Sequence, residues 1–278
     1  MSPPINFYEH LLDVLEQIPR GKVSTYIKIA EALGDPVAAK AVKEALEREL
    51  FAEFRAKIVE SAPRSPDLFN DFVSDRPLEQ LASYQMEQAE HVIRDDDLYS
   101  SDRIAGVDVS YQGDVAASAC VVMDSDLEVI DSASTVIPVA FPYIPGYLMF
   151  REAPAIEAII EHVSGFDVLM VNGHGIAHPR GCGLASYVGL KLDQPTIGVA
   201  RTILVGETGE RGLLVKYNEE VVAAEINRPG HLPFYVSTGH RISLTSCVDI
   251  VGRMVGAGQL PEPLRLAHLE ARRLMTEI

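Results

Sequence analysis

Asp108 stands in the middle of a valine-rich run, Ala105-Gly-Val-Asp-Val-Ser-Tyr111. A carboxylate there is costly to bury unless it is paired or holds a cation. The plain alternative is an outward-facing strand aspartate. Downstream, Val171-Asn-Gly-His-Gly-Ile-Ala-His-Pro-Arg180 opens at the end of an apolar run. Asn172 offers a carbonyl oxygen, His178 a titratable imidazole, and the glycines permit close backbone approach. Pro195-Thr-Ile-Gly-Val-Ala-Arg201 closes the next run with a cation, and Val236-Ser-Thr-Gly-His-Arg241 closes the last with His240. Glu152 follows Phe150-Arg151 on a helical stretch expected to bring it back over the sheet. Each residue has a bland reading alone. Together Asp108, Glu152, Asn172, His178, Arg201 and His240 suit metal-assisted phosphodiester hydrolysis. Oxygen ligands from Asp108 and Asn172 suit Mg²⁺. The ion activates water and steadies the leaving oxygen, and a nearby cation stabilises charge building on phosphate.

A second motif is stiff and apolar. In Phe141-Pro-Tyr-Ile-Pro-Gly146, Tyr143 is fixed between Pro142 and Pro145. A rigid aromatic of this kind can wedge into a base stack. A packed core loop is the alternative.

The elements that must position these residues fall in two groups. Apolar residues recurring at three and four predict helices over Phe7–Gln17, Thr25–Leu33, and Val37 to about Val59. Ser24-Thr25 caps the second, and Gly34-Asp35-Pro36 ends it. Helix, tight turn, helix with a basic face is a helix-turn-helix pattern. Ser61–Pro66 reads as a linker, and Asp71 to about Arg94 as a further helix. From residue 103 the pattern changes to strands. Ile104–Tyr111, Ala116–Met123 and Leu127–Ser134 predict an antiparallel meander. A helix follows over Pro145 to about His162. Val168–Asn172 and Thr196–Ala200 read as buried parallel strands. Leu213–Tyr217 with Val221–Ile226 reads as a hairpin, Phe234–Ser237 as a strand, and Ser246–Met254 and Glu262–Met275 as closing helices. The expected fold is α/β: a ribonuclease H-like mixed sheet flanked by helices, preceded by a small, mainly α helix-turn-helix domain.

Composition sets the bounds. The chain has 278 residues, 47% hydrophobic and 23% charged, values ordinary for a soluble globule. No apolar run approaches the ~20 residues of a membrane helix, and the N-terminus lacks a signal layout. A cytoplasmic monomer with no membrane partner is expected. Three dispersed cysteines exclude a Cys-x-x-Cys zinc site and read as buried thiols. The net charge of −16 weakens long-range attraction to phosphates, leaving contacts local and salt-sensitive. Residues 20–43 are locally basic, with Arg20, Lys22, Lys28, Lys40 and Lys43 against Glu31 and Asp35.

Five stretches carry a resemblance: Ile104–Tyr111, Pro142–Glu152, Gly173–Arg180, Pro195–Ala200 and Ser237–Arg241. In this order they resemble the endonuclease V family, over about residues 73–258. The resemblance implies a ribonuclease H-like fold, Mg²⁺ or Mn²⁺ as cofactor, and nicking on the 3′ side of deoxyinosine. The implied partner is duplex or single-stranded DNA containing deaminated bases, with inosine-containing RNA as an alternative. Asp108 matches the family's first metal aspartate, Glu152 its active-site glutamate, and His178 and His240 its histidines. Tyr143, beside Pro145, matches a wedge tyrosine. Gly183 and Gly198 match positions lining the base pocket. Two positions depart. Asn172 stands where the family has Asp, and Arg201 where it has Lys. Asn172 keeps an oxygen donor but removes a charge facing the cation, so a catalytically weakened damaged-base binder is the competing reading.

Ile18-Pro-Arg-Gly-Lys-Val-Ser-Thr-Tyr26, Ile29–Gly34 and Ala38–Val42 resemble the DNA-binding half of O6-alkylguanine-DNA alkyltransferases. Tyr26 matches its phosphate-rotating tyrosine, and Lys40 stands where that family has an arginine. No cysteine precedes Cys120, so alkyl transfer by this segment is excluded and a DNA-docking role remains. The expected domains are 1–62 and 70–278.

Overall fold

The computed structural model describes residues 5–61, 67–209 and 213–277. The linker read at Ser61–Pro66 lies outside the described residues beyond Ser61. Two compact units emerge: Met1–Tyr84 with Ala140–Arg151, and Gln85–Val139 with Glu152–Ile278. Among the described residues no helix is long and apolar enough to cross a membrane.

In the first unit α1 (Phe7–Glu16) buries Phe7, Leu11, Val14 and Leu15 on one stripe, and Asn6 caps it. β1 (Ser24–Thr25) leads into α2 (Tyr26–Ala32), where the Thr25 hydroxyl accepts from Lys28 N at 3.2 Å. Gly34, at φ +106°, turns the chain; a β-carbon there would lie 2.8 Å from Glu79 N. A 3₁₀ turn, Pro36–Ala38, leads into α3 (Ala39–Leu46). The long helix expected over Val37–Val59 is broken. Arg48 is extended, a 3₁₀ segment covers Glu49–Lys57, and β2 (Ile58–Val59) pairs in parallel with β1. Phe51 and Phe54 are both buried, and a 3₁₀ helix places residues three apart on one side. The helix expected from Asp71 starts only at Pro77, as α4 (Pro77–Ala89). Proline suits a first helical turn but not an interior, and Arg76 before it has φ +51°.

The second unit is built on a nine-stranded mixed sheet among the described residues. β3 (Ile104–Gln112), β4 (Val115–Met123) and β5 (Val129–Pro138) form the antiparallel meander. α5 (Leu148–Ile160) follows, without the Pro145-Gly146 start expected for it. β6 (Val168–Asn172), α6 (Leu184–Leu192) and β7 (Thr196–Ala200) come next, with β3, β6 and β7 mutually parallel. β8 (Glu207–Thr208), β9 (Leu214–Tyr217), β10 (Glu220–Ile226) and β11 (Phe234–His240) complete the sheet, and β11 runs antiparallel to β7. α7 (Leu244–Arg253) and α8 (Glu262–Glu277) close the chain. The order is β5-β4-β3-β6-β7-β11-β10-β9-β8. Residues 184–189 of α6 are all buried, so no amphipathic period marks this helix.

Side chains alternate between the faces of a strand, and this decides which helix covers Asp108. A β-carbon on Gly106 would lie 2.4 Å from the Pro263 carbonyl carbon, so α8 covers the face shared by Gly106 and Asp108. Ser118, paired with Val109, points to the other face. It donates to Ala155 O at 2.7 Å, placing α5 there.

Candidate functional site

Asp108 is only 6% exposed. β3 and β6 run parallel with Val107 opposite Val171, which sets Asn172 beside Asp108 at the carboxyl end of β6. Asn172 Nδ2 donates to Asp108 Oδ1 at 2.7 Å. The other oxygen is met from α8: His268 Nδ1 lies 2.6 Å from Asp108 Oδ2. Both oxygens of the buried carboxylate are therefore engaged, as burial of such a group requires. The sequence reading missed His268. The signal was its place next to Ala267 on an amphipathic helix whose buried stripe is Leu264, Ala267, Ala271 and Met275.

The other expected residues are not all gathered there. Arg201 follows β7 directly and is exposed. Val199 is the register partner of Asn172, so Arg201 stands at the same sheet edge as Asn172. Glu152 lies on α5, which covers the face opposite Asp108. Among the described residues no three His, Cys, Asp or Glu side chains form a metal-holding group. His240 is also displaced. β11 is antiparallel, and His240 pairs with Thr196, at the start of β7 rather than its end. At ~3.3 Å per residue that puts it roughly 10 Å down the sheet from the level of Asn172. Its Nδ1 accepts from Ile93 N at 3.2 Å. Burial and the Arg241 guanidinium hold its pKa below the ordinary imidazole value, with Asp193 opposing.

His178 is buried in the loop after β6. Its N–H donates to Ile176 O at 2.7 Å, and its Nδ1 accepts from Arg180 N at 3.2 Å. The loop crosses the sheet on the face opposite Asp108: Ser237, level with Gly198 and Val171, accepts from Gly175 N at 2.9 Å. Gln85 braces it, accepting from Arg180 Nη1 at 3.0 Å and donating to Cys182 O at 2.5 Å. Gly183 and Gly198 serve this crossing. A β-carbon on Gly198 would lie 2.4 Å from Gly175 N, and one on Gly183 2.3 Å from His174 O. Their close approach is to the loop backbone.

Tyr143, Pro145, Tyr26 and Lys40 belong to the first unit. Phe141 and Ile144 are buried, whereas Tyr143 is 51% exposed and Pro145 is exposed beside it. The basic face is largely neutralised. Lys28 pairs with Glu31 at 2.7 Å, Lys40 with Glu44 at 3.6 Å, Lys43 with Glu60 at 2.8 Å, and Lys22 with Asp67 at 4.0 Å. Lys43 Nζ also sits 5.7 Å from the Tyr26 ring centroid. All three cysteines are buried free thiols, pushed by burial up to about 12.

Residues 86–269 match the family model described as Endonuclease V. The chain belongs to the endonuclease V family. Residues 6–54 match a second model, the DNA binding domain of 6-O-methylguanine DNA methyltransferase. The endonuclease V of Ignicoccus hospitalis is 40% identical over 200 residues, 69% of this chain and 93% of that protein. A bifunctional methyltransferase/endonuclease of Picrophilus torridus is 33% identical over 295 residues, 95% of each chain. The crystal structure of Ciona intestinalis endonuclease V, in complex with a 24mer DNA containing an inosine followed by a ribo-adenosine, superposes with TM-score 0.67 at 26% identity. It covers 73% of this chain and 99% of that one. The second unit thus has the ribonuclease H-like fold of endonuclease V.

The endonuclease V resemblance implies a divalent cation, and the donors around Asp108 can be tested for it. Asp108 supplies a buried carboxylate and His268 an imidazole. Asn172 supplies an amide whose oxygen takes the place of its nitrogen after a half-turn about the terminal bond. One carboxylate, one amide oxygen and one imidazole fit a divalent cation, with one negative charge rather than two.

Proposed function

We propose that this endonuclease V family member hydrolyses a phosphodiester on the 3′ side of deoxyinosine in DNA. Its cofactor is Mg²⁺ or Mn²⁺, held by Asp108, His268 and the Asn172 amide oxygen. The observation that carries the reading is the buried Asp108 carboxylate, met by Asn172 on one oxygen and His268 on the other. The inosine-containing DNA bound by the Ciona relative supports the substrate class. A cation held by these residues would supply an acidified water and neutralise charge on the departing oxygen. Before a cation binds, Asn172 and His268 hold the Asp108 carboxylate in position. Arg201, exposed at the same sheet edge, offers its guanidinium to the scissile phosphate. Tyr143, held outward by its buried neighbours, fills the gap left by an everted base. Residues 1–62 serve as a DNA-docking module, and residues 70–278 carry the cleavage. The test is nicking of a duplex with a single deoxyinosine, in Mg²⁺ and in Mn²⁺. Wild type nicks and Asp108→Ala does not. Folded wild type that nicks with neither metal overturns the reading.

A second reading rests on Asn172. With its amide N–H given to Asp108, the site lacks the family's second carboxylate. On this reading the protein binds deaminated bases and recruits other factors. It predicts inosine-selective binding without cleavage in either metal. Matched inosine DNA and RNA substrates, run together, decide between the nucleic acids.

A further inference from the structure

The loop bearing Tyr143 lies in sequence between β5 and α5, two elements that contribute to the sheet unit. By packing it belongs to the first unit, with the helix-turn-helix. Its apolar residues enter that unit's core. Phe141, Ile144 and Tyr147 are 5%, 1% and 1% exposed and join the cluster of Phe7, Leu11, Ile29 and Leu33. The Phe7 and Phe141 rings meet edge to face at 6.0 Å, a preferred aromatic geometry.

One carboxylate ties the loop to the turn of the helix-turn-helix. Asp35 is the turn residue between α2 and the 3₁₀ entry to α3. Its Oδ1 accepts from Val37 N at 3.0 Å, capping that entry. Its Oδ2 accepts from the Tyr147 hydroxyl at 2.7 Å. Leu78 O lies 3.2 Å from the same hydroxyl, and Leu78 N donates to Leu33 O at 2.9 Å, so the turn, α4 and the loop meet at one point. A hydrogen bond to a charged acceptor is stronger than a neutral one. Tyr147 is buried, which makes its partner hard to replace with water.

We propose that Tyr147 and Asp35 are positioning residues that fix the Tyr143 loop on the helix-turn-helix turn. Lesion probing then belongs to the N-terminal unit, while cleavage belongs to the unit holding Asp108. The lesion half of this proposal rests on the deoxyinosine reading above; the mechanical half does not. Docking of the second helix on the duplex backbone and insertion of Tyr143 become one event, because one carboxylate orders both segments.

The chain contains no tryptophan, so Tyr143→Trp gives the full-length protein a single indole reporter. Its fluorescence anisotropy is read alone and with Tyr147→Phe or Asp35→Asn, both near-isosteric. Far-UV circular dichroism and the thermal midpoint check the fold. The expected result is a drop in anisotropy of the free protein in both double variants, with the fold retained. Unlabelled Tyr147→Phe is then titrated, without divalent metal, into duplexes with and without deoxyinosine. Its preference for the deoxyinosine duplex falls about tenfold, matching Tyr143→Ala, while affinity for the plain duplex holds. Unchanged indole anisotropy in both double variants overturns the positioning role. A preference kept by Tyr147→Phe but lost by Tyr143→Ala overturns it as well. If wild type shows no deoxyinosine preference while anisotropy falls as expected, the deoxyinosine reading fails, the lesion half is overturned, and the positioning role stands.

Discussion

Asn172 Nδ2 donates to Asp108 Oδ1 over 2.7 Å, so an amide stands against the carboxylate where endonuclease V is expected to hold a second acid. This inverts the usual balance of such a site. The metal-free pair is satisfied by a hydrogen bond, and a cation held as proposed would need the amide turned to present its oxygen. Asn172→Asp replaces a donor by a second negative charge. Without metal, two carboxylates in contact repel, and the thermal midpoint is expected to fall. With metal, that repulsion becomes attraction to the cation. Nicking is expected to rise tenfold or more, since ~1.4 kcal/mol at the transition state is a factor of ten. Thermal melts with and without Mn²⁺, paired with single-turnover nicking, check both signs. A midpoint that rises without metal sinks the account.

His268 reaches Asp108 from 160 residues away along the chain. Metal-site partners typically contribute about 10–100-fold in affinity or activity. His268→Ala is expected to lower nicking by that range and weaken cation binding by calorimetry. The loss should be largest at low metal. His240→Gln, which changes a histidine at the opposite sheet edge, should leave cation affinity unchanged.

The donor set also predicts metal choice. Mg²⁺ prefers oxygen and nearly ideal octahedral geometry, whereas affinity for nitrogen ligands rises from Mn²⁺ onward. A site with one carboxylate and an imidazole is expected to work at lower Mn²⁺ than Mg²⁺. Metal titrations of nicking measure the two midpoints. Equal midpoints would place His268 outside the coordination sphere.

Much of this architecture was legible because local rules and tertiary demands agree. The meander β3–β5 alternates or runs apolar as expected, and β6 and β7 are continuous apolar runs buried on both faces. Their parallel pairing brings Asp108 and Asn172 together. Strand direction was not legible. His240 ends its strand just as Asn172 does, but β11 is antiparallel, so its end lies at the opposite edge. The face of α5 was equally hidden, because Glu152 depends on which side of the sheet the helix crosses. Residues 141–147 look like any apolar loop, and nothing local says whose core Phe141, Ile144 and Tyr147 complete. The helix expected over Val37–Val59 breaks at Arg48, which is extended, and a 3₁₀ segment beyond it buries Phe51 and Phe54.

Gly198 supports the crossing of the loop after β6. A β-carbon would lie 2.4 Å from Gly175 N and 2.8 Å from Gly173 O, both backbone atoms. Overpacking costs typically about 1–3 kcal/mol, and rigid neighbours push Gly198→Ala to the top of that range. Gly165, with no heavy atom within 4 Å of a β-carbon, is the control, and Gly165→Ala should shift stability by less than about 0.5 kcal/mol. Urea unfolding of the two variants makes the comparison. Equal midpoints would show that the loop can lift from β7 at no cost.

Half-buried His174 and buried His240 set the acid limit of the fold. Burial lowers the pKa of His174, against a hydrogen bond with the Thr202 carbonyl; burial and then Arg241 lower that of His240. With a depressed folded value, the unfolded chain takes up protons first as pH falls. The stability these residues contribute is therefore complete above the ordinary imidazole value, about 6.5. It is lost progressively below that, down to their folded values. Asp96 acts further into acid. Burial would raise its pKa, but hydrogen bonds from Ser243 and Ser246 outweigh that and lower it, so its contribution fades only as pH falls through the carboxylate range. Thermal midpoints should thus decline in two stages on acidification. His240→Gln, neutral at every pH, should flatten the first stage and leave the second. A variant whose midpoint falls between pH 7 and 5 as steeply as wild type would remove His240 as the cause.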